Sequence, residues 1–392
     1  MSLTDFSVYI HVPFCAAKCP YCDFNTYATK LVPEQEYVDA LLCELRAHAT
    51  NTISRKRRVQ TVFFGGGTPS LLSPDAIGEI IAGVDTLFGI NQGAEVSIEA
   101  NPSGMSPQVY QKLQAVGVNR LSFGVQSFDD KQLSVLGRDH SSAQAIRAVK
   151  EAREQGFEKL SIDLMLGVPE QTQESFRRDV EIAMELPIGH FSAYALSVEP
   201  GTPFFQRQER GLLSVPPDED VLEMLEDLPE LVATFGFSRY EISNYAKSGY
   251  ESLHNTVYWK GGDYLGLGAG SHSFMREVSP EGKSLGGVRW SNVALPATYM
   301  QAVRDGQMIS WKETLSQEAL AYEFFYLGLR MMQGVSYDEF CSKFPHDIWK
   351  RYEDALVELT AANLIVVDQG RVALTERGVA LSDSVFERLI VS

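Results

Sequence analysis

Apolar residues run along the first half of the chain in short blocks separated by longer amphipathic stretches, and the two kinds of block alternate. The short blocks are SVYIHV (7–12), QTVFFG (60–65), EVSIEA (95–100), NRLSFGV (119–125), KLSIDLM (159–165) and HFSAYALS (190–197). They are rich in β-branched and aromatic residues and too short for helices, so they read as strands. Between them, apolar spacing near 3.6 predicts helices over 34–49, 74–88, 106–116, 141–155 and 173–185. Strands joined through helices pair in parallel with right-handed crossovers, which leaves a doubly wound sheet or a full or partial (β/α) barrel.

Both architectures place reactive groups beyond the carboxyl ends of the strands. The text after each strand fits that rule: a cysteine loop, then GGGTPS, EANP, GVQSF, DLMLGVP and SVEPGTP. Each brings Gly, Pro or a polar group to that end, as expected of one shared pocket. After residue 205 the rhythm stops. A helical pattern at 218–235 is followed by aromatic, glycine-rich text, and from about 313 the order is helix, short helix, helix, two β runs around Gln-Gly and a last helix. The expected fold class is therefore α/β: a partial (β/α)6 barrel over 1–205, a linking region over 206–300 and a small, mostly helical, winged-helix-like domain over 301–392.

Composition narrows the function classes. A chain of 392 residues that is 44% hydrophobic has ample material for two or three cores. A net charge of −17 argues against nucleic-acid binding through the overall field. The one basic run, RKRR at 55–58, is expected as a solvated loop. No run of about eighteen apolar residues occurs, and the first thirty residues lack a basic leader with an apolar core, so a soluble cytoplasmic protein is expected.

The five cysteines are unevenly placed. Cys15, Cys19 and Cys22 fall within CAAKCPYC, directly after the first strand, while Cys43 and Cys341 stand alone in helical patterns and are expected as buried structural thiols. Clustered cysteines without a secretion signal point to metal binding or catalysis. Zinc would want a fourth Cys or His; an iron-sulfur cube held by three thiolates keeps one iron without a protein ligand. Both remain open on spacing alone.

CxxxCxxC after a first strand, with the aromatic Tyr21 before the last cysteine, resembles the signature of radical S-adenosylmethionine proteins. The resemblance implies a [4Fe-4S] cluster on Cys15, Cys19 and Cys22, with S-adenosylmethionine chelating the fourth iron. It implies that GGGTP, through Gly66, Gly67 and Thr68, meets the methionyl amino group, and it assigns Tyr21 and Phe24 to the cofactor's surroundings. Glu99 and Asp163 sit on otherwise apolar strands, where an ionised carboxylate is costly unless partnered; the alternatives are ligand contact, helix capping, or pairing with Arg120 or Arg138. The intervals among Glu99, Gln126, Arg138 and Asp163 resemble those of the coproporphyrinogen-dehydrogenase-like branch, in which Tyr9 matches a ligand-contacting tyrosine.

Two activities exist in that branch, oxidative decarboxylation of coproporphyrinogen III and heme carriage. The decarboxylase motif has a further cysteine two places beyond the third, where this chain has Phe24, and a longer lead segment than the fourteen residues before Cys15. HNTVYW at 254–259 fits an HNxxYW motif of the heme chaperones, implying heme contact by His254, Asn255, Tyr258 and Trp259, with His272 in GAGSH as a rival iron ligand. The alternative is that this aromatic cluster packs the barrel against the C-terminal domain. His11 and His190 are expected as satisfied core residues, and His48, His140 and His346 as exposed. The resemblance implies heme and respiratory-chain hemoproteins as partners, allows peripheral membrane contact and a homodimer, and leaves open whether S-adenosylmethionine is cleaved.

Overall fold

The computed structural model describes residues 5–51, 57–279 and 281–390. The six expected strands lie side by side and parallel: β1 (Phe6–Val12), β2 (Val59–Gly66), β3 (Ile90–Ala100), β4 (Arg120–Gln126), β5 (Lys159–Leu166) and β6 (His190–Ala195). They are joined through α1 (Glu34–Asn51), α2 (Pro74–Phe88), α3 (Pro107–Ala115), α4 (Ser142–Glu154) and α5 (Gln173–Met184). The start of each of the last four is fixed by the preceding residue: Ser73, Ser106, Ser141 and Thr172 each accept from a backbone N–H inside the first turn.

The strands sort their residues by parity. Val8, Ile10, Val62, Phe64, Ile98, Leu121, Ile162 and Phe191 are fully buried in the apolar core. The alternate positions, among them Tyr9, Ser97, Glu99, Ser122, Asp163 and Ser192, line a cavity on the other face. Period-two alternation here separates core from pocket rather than core from water.

The sheet continues beyond the expected six strands. On one side β9 (Tyr264–Leu267) runs parallel beside β1, and β10 (His272–Val278), β11 (Ser284–Asn292) and β12 (Ile309–Ser316) follow antiparallel. On the other side β8 (Asn244–Ala246) pairs antiparallel with β6 and with β7 (Ser238–Glu241). The described residues thus form a twelve-stranded sheet of order β12-β11-β10-β9-β1-β2-β3-β4-β5-β6-β8-β7.

Residues 206–300, expected as a linking region, therefore build both flanks of the same sheet. Leu228 and Val232 of α6 (Asp218–Ala233), together with Tyr245, Leu265 and Trp290, belong to the main core. Strands of three or four residues rich in Gly and Tyr carry no readable alternation; hydrogen bonding to an existing edge selects them. A buried carboxylate ties this flank down: Glu44 of α1 accepts from the Tyr299 hydroxyl at 2.5 Å, Asn292 Nδ2 at 2.5 Å and Gly268 N–H at 2.9 Å.

A second core gathers α7 (Gln317–Gly328), the helices after it and a three-stranded sheet of Val335–Ser336, Arg371–Leu374 and Ile365–Asp368. Phe274 of β10 and Leu315 of β12 also belong to it, so the two cores meet along the sheet's flank. Three single-residue expectations change. Cys43 is exposed, whereas His48 and His140 are buried, because packing against neighbouring elements decides what helical periodicity in one segment cannot. Of the basic run, Arg55 and Lys56 lie outside the described residues; Arg57 instead bonds Asp263 at 2.5 Å and Arg58 bonds Asn91 at 3.0 Å.

Phe325 anchors the second core, its ring centroid 4.5 Å from Tyr352 and 4.9 Å from Trp349. Phe325→Ala is expected to cost roughly 3–5 kcal/mol, read as a lowered denaturation midpoint; an unchanged midpoint contradicts this packing.

Candidate active site

The cysteine loop is clamped at both ends. Beyond β1, Phe14–Cys15 pairs in parallel with Tyr27–Ala28, and the loop closes through Tyr27 N–H to Pro13 O at 2.7 Å and Thr29 N–H to Cys15 O at 2.9 Å. The glycine segment after β2 is laced to it: Gly67 N–H donates to Val12 O and Thr68 N–H to Phe14 O, both at 2.8 Å. Gly66 has φ +112°, a backbone conformation strained for other residues. A Cβ on Gly67 would stand 2.6 Å from Phe14 O and 3.1 Å from Cys15 Sγ. Glycine there lets the two loops touch.

A hydroxyl or a guanidinium stands beside each of the three half-buried thiols. Thr68 Oγ1 donates to Cys15 Sγ at 3.6 Å, Arg138 Nη1 to Cys19 Sγ at 3.5 Å, and Thr26 Oγ1 lies 3.8 Å from Cys22 Sγ. Among the described residues no three His, Cys, Asp or Glu side chains gather as one metal ion would require. Three thiols with a hydroxyl or a cation beside each are the donor set that an anionic iron-sulfur cluster takes. Cys43 and Cys341 do not line this cavity, so the chain offers the cluster three thiolates here.

The cavity measures about 630 Å³ and gathers the cofactor residues expected from the sequence: Tyr9, Tyr21, Phe24, Gly66, Gly67, Thr68, Glu99, Gln126, Arg138 and Asp163 all line it. Gly66 N–H donates to Glu99 Oε2 at 3.0 Å, and Ser122 donates to Asp163 Oδ1 at 3.3 Å. Burial is the main cause that pushes Glu99 up to about 7, with the Asp163 charge adding to it. Burial also pushes Asp163 up to about 6, against the pull of hydrogen bonds from Ser192 and Ser122. Neither carboxylate takes the ion pair weighed above: Arg120 stands 3.6 Å from Glu95, and Arg138 Nη2 donates to Gly124 O at 2.7 Å. Gln126 adopts φ +72°, a cost of order 1–3 kcal/mol for a residue with a side chain, of the kind functional sites tolerate.

Several polar atoms on the pocket-lining residues have no protein partner: Ser97 Oγ, Arg138 Nε and Arg120 Nη2 are buried and unbonded among the described residues. A ligand with an ammonium, a carboxylate and a ribose diol supplies what such a lining lacks. Ser97, Ser122, Ser161, Ser192 and Tyr194 were missed by motif reading. Their alternation with buried apolar residues was the available signal.

Three of the HNxxYW residues, His254, Asn255 and Tyr258, line the cofactor cavity, and Trp259 does not. His254 is 1% exposed, and both ring nitrogens are engaged, Nδ1 with Thr61 Oγ1 at 2.7 Å and Nε2 with the Tyr258 hydroxyl at 2.9 Å. Burial lowers it to about 3, so the ring is neutral. An imidazole bonded at both nitrogens has no lone pair for heme iron in this arrangement. Asn255 lines the cofactor cavity, Tyr258 lines both this cavity and a second one, and Trp259 carries the Arg330 guanidinium 4.5 Å over its ring. The expected core role of His11 and His190 agrees with their burial, but both also border or support the site: His190 lines the cavity and His11 bonds Tyr9 at 3.0 Å.

Comparison with known proteins gives the chain's relatives. Residues 9–183 match the radical SAM superfamily and residues 315–381 the HemN C-terminal domain. The chain is 36% identical over 390 residues to a heme chaperone HemW of Bacillus subtilis, covering 97% of this chain and 98% of that one. It is 38% identical to the Escherichia coli heme chaperone HemW, covering 87% and 86%. The solved structure of coproporphyrinogen III oxidase (HemN) from Escherichia coli, a radical SAM enzyme, superposes with a TM-score of 0.82 over 98% of this chain and 90% of that one at 22% identity.

The raised carboxylates give a pH signature. From pH 4.5, where Glu ordinarily titrates, to about 7, the unfolded chain has released the Glu99 proton while the folded chain keeps it. The unfolded state then binds fewer protons, so stability falls as pH rises through that window. Glu99→Gln is expected to flatten this fall in denaturation midpoints of the ligand-free chain; a profile parallel to wild type contradicts the assignment.

Proposed function

The chain belongs to the radical SAM superfamily, in the family of the HemW heme chaperones, and on that premise we propose that it binds heme and passes it to respiratory hemoproteins. The observation that carries this reading is similarity spread along almost the whole chain, 33% to 38% identity to relatives named heme chaperones. Its cofactors are a [4Fe-4S] cluster and S-adenosylmethionine.

Cys15, Cys19 and Cys22 would hold the cluster, and the residues around Glu99, Asp163 and the Gly66–Thr68 backbone would hold S-adenosylmethionine. When bound, the pair supplies a one-electron route to cleaving a carbon–sulfur bond. The chain's own part is positional: Arg138 would offset thiolate charge beside Cys19, and Gly67 lets the backbone after β2 approach the cysteine loop, where it would meet the ligand. Burial, which pushes Glu99 up to about 7 and Asp163 up to about 6, is the main influence on the two carboxyls that face this cavity.

Among the described residues no helix is long and apolar enough to cross a membrane. We infer a cytoplasmic protein with peripheral contact to the membrane where its acceptors reside. Oxidation of coproporphyrinogen III is the competing reading. The likeness to the solved oxidase is one of fold, and Phe24, 65% exposed at the cavity, stands where the resemblance to that enzyme's motif asks for a cysteine.

Oxygen-free, cluster-loaded protein given reductant, S-adenosylmethionine and coproporphyrinogen III is expected to form no protoporphyrinogen, yet to retain heme through gel filtration with an altered Soret band. Sustained decarboxylation, or heme eluting apart from the protein, contradicts the carrier reading.

A further inference from the structure

A second cavity lies on the other side of Tyr258, between the sheet's flank and the C-terminal unit, with a volume of about 450 Å³. That is within the roughly 300–1,000 Å³ of cofactor-sized pockets. Its floor is set by strand parity: His272, Phe274, Arg276 and Val278 are alternate residues of β10, and all four line it. Across the sheet, Tyr264 of β9 and Arg289 of β11 both pair with Phe274, giving one continuous row. The roof is α7, which contributes Phe324 and Tyr326.

Charge in this chamber runs against that of the chain. In a protein of net charge −17, Lys260, Arg276, Arg289 and Lys343 all line it, against one lining carboxylate, Glu323. Neighbouring carboxylates hold three of these cations in place: Asp263 bonds Arg276 at 2.7 Å, Glu323 takes Arg289 through both oxygens at 2.7 and 2.6 Å, and Glu339 bonds Lys343 at 3.1 Å. Lys260 makes no ion pair among the described residues. Arg276 and Lys260 are close enough to Lys343 to oppose its charge, so three cations share one end of the chamber. His272 is exposed to this space, and no hydrogen bond to its ring is present among the described residues. Its contrast with the doubly bonded His254 is direct.

Resting on the heme-carrier reading above, the geometry points to this chamber as the heme site: aromatic faces against the macrocycle, His272 toward the iron, and Lys260, Arg276 and Lys343 toward the two propionates. A flat apolar ring with an anionic edge and a vacant axial position asks for these three features together. The HNxxYW motif then acts as the partition. The rings of His254, Tyr258, Tyr264 and Phe274 succeed one another at centroid spacings of 5.1, 4.7 and 6.3 Å, running from the cofactor cavity into the heme chamber.

The test is an anaerobic titration of cluster-loaded, full-length protein with heme and with heme dimethyl ester, whose propionates are uncharged. His272 and Lys260 are exposed, so His272→Ala and Lys260→Glu leave the folded packing in place, which circular dichroism checks. Wild type is expected to bind heme more tightly than the ester. His272→Ala is expected to shift the Soret maximum, with recovery on adding imidazole. Lys260→Glu is expected to weaken heme binding by about tenfold, the scale of one charge-assisted contact, and to leave the ester unaffected. Heme bound equally well by wild type and both variants, or lost only in His254→Ala, overturns the chamber while leaving the carrier function standing. Wild type that binds no heme overturns the carrier function itself.

Discussion

Three thiolates cannot complete the coordination of four irons, and the pocket above the parallel sheet is arranged around that shortfall. Cys15, Cys19 and Cys22 reach the cavity from one clamped loop, and the glycine segment bonded to that loop carries backbone to the same place. The remaining lining is polar without being self-satisfied. Glu99 and Asp163 are buried without an ion pair, and Ser97 and Arg138 keep unbonded donors. A folded chain tolerates such groups where a ligand completes them. The iron left to an outside ligand and the polar lining left to an outside partner are two sides of one design.

Much of this was legible because strand periodicity encodes it. In EVSIEA, Val96 and Ile98 face the helices while Ser97 and Glu99 face the cavity; in KLSIDLM, Ile162 and Asp163 divide in the same way. The loop after each strand then falls at one mouth, which is why residues from Tyr9 to Asp163 converge although more than 150 positions separate them. The flanks were not legible. Strands such as NYA and YLGL are too short to show a period, and their place depends on edges of β6 and β1 that exist only once the sheet has formed. Single-residue burial failed for a similar reason: His140 follows a short helix yet is covered and bonds Val125 O at 3.1 Å.

HNxxYW shows that a motif read as text carries no hydrogen-bond geometry. Its histidine looks ligand-like in text, but folding engages both ring nitrogens, and its tyrosine becomes a wall with a cavity on either side. Two neighbouring chambers of contrasting character result, one lined by carboxylates and serines, the other by aromatics and cations. Tyr258 lines both chambers, so its ring is a packed element that the two share.

Electron paramagnetic resonance of the reduced, cluster-loaded protein, recorded before and after adding S-adenosylmethionine, asks whether an iron is open to a ligand from outside the chain. Ligation at that iron is expected to shift the cluster's signal in wild type. A spectrum that S-adenosylmethionine leaves unchanged contradicts the open iron and everything built on it.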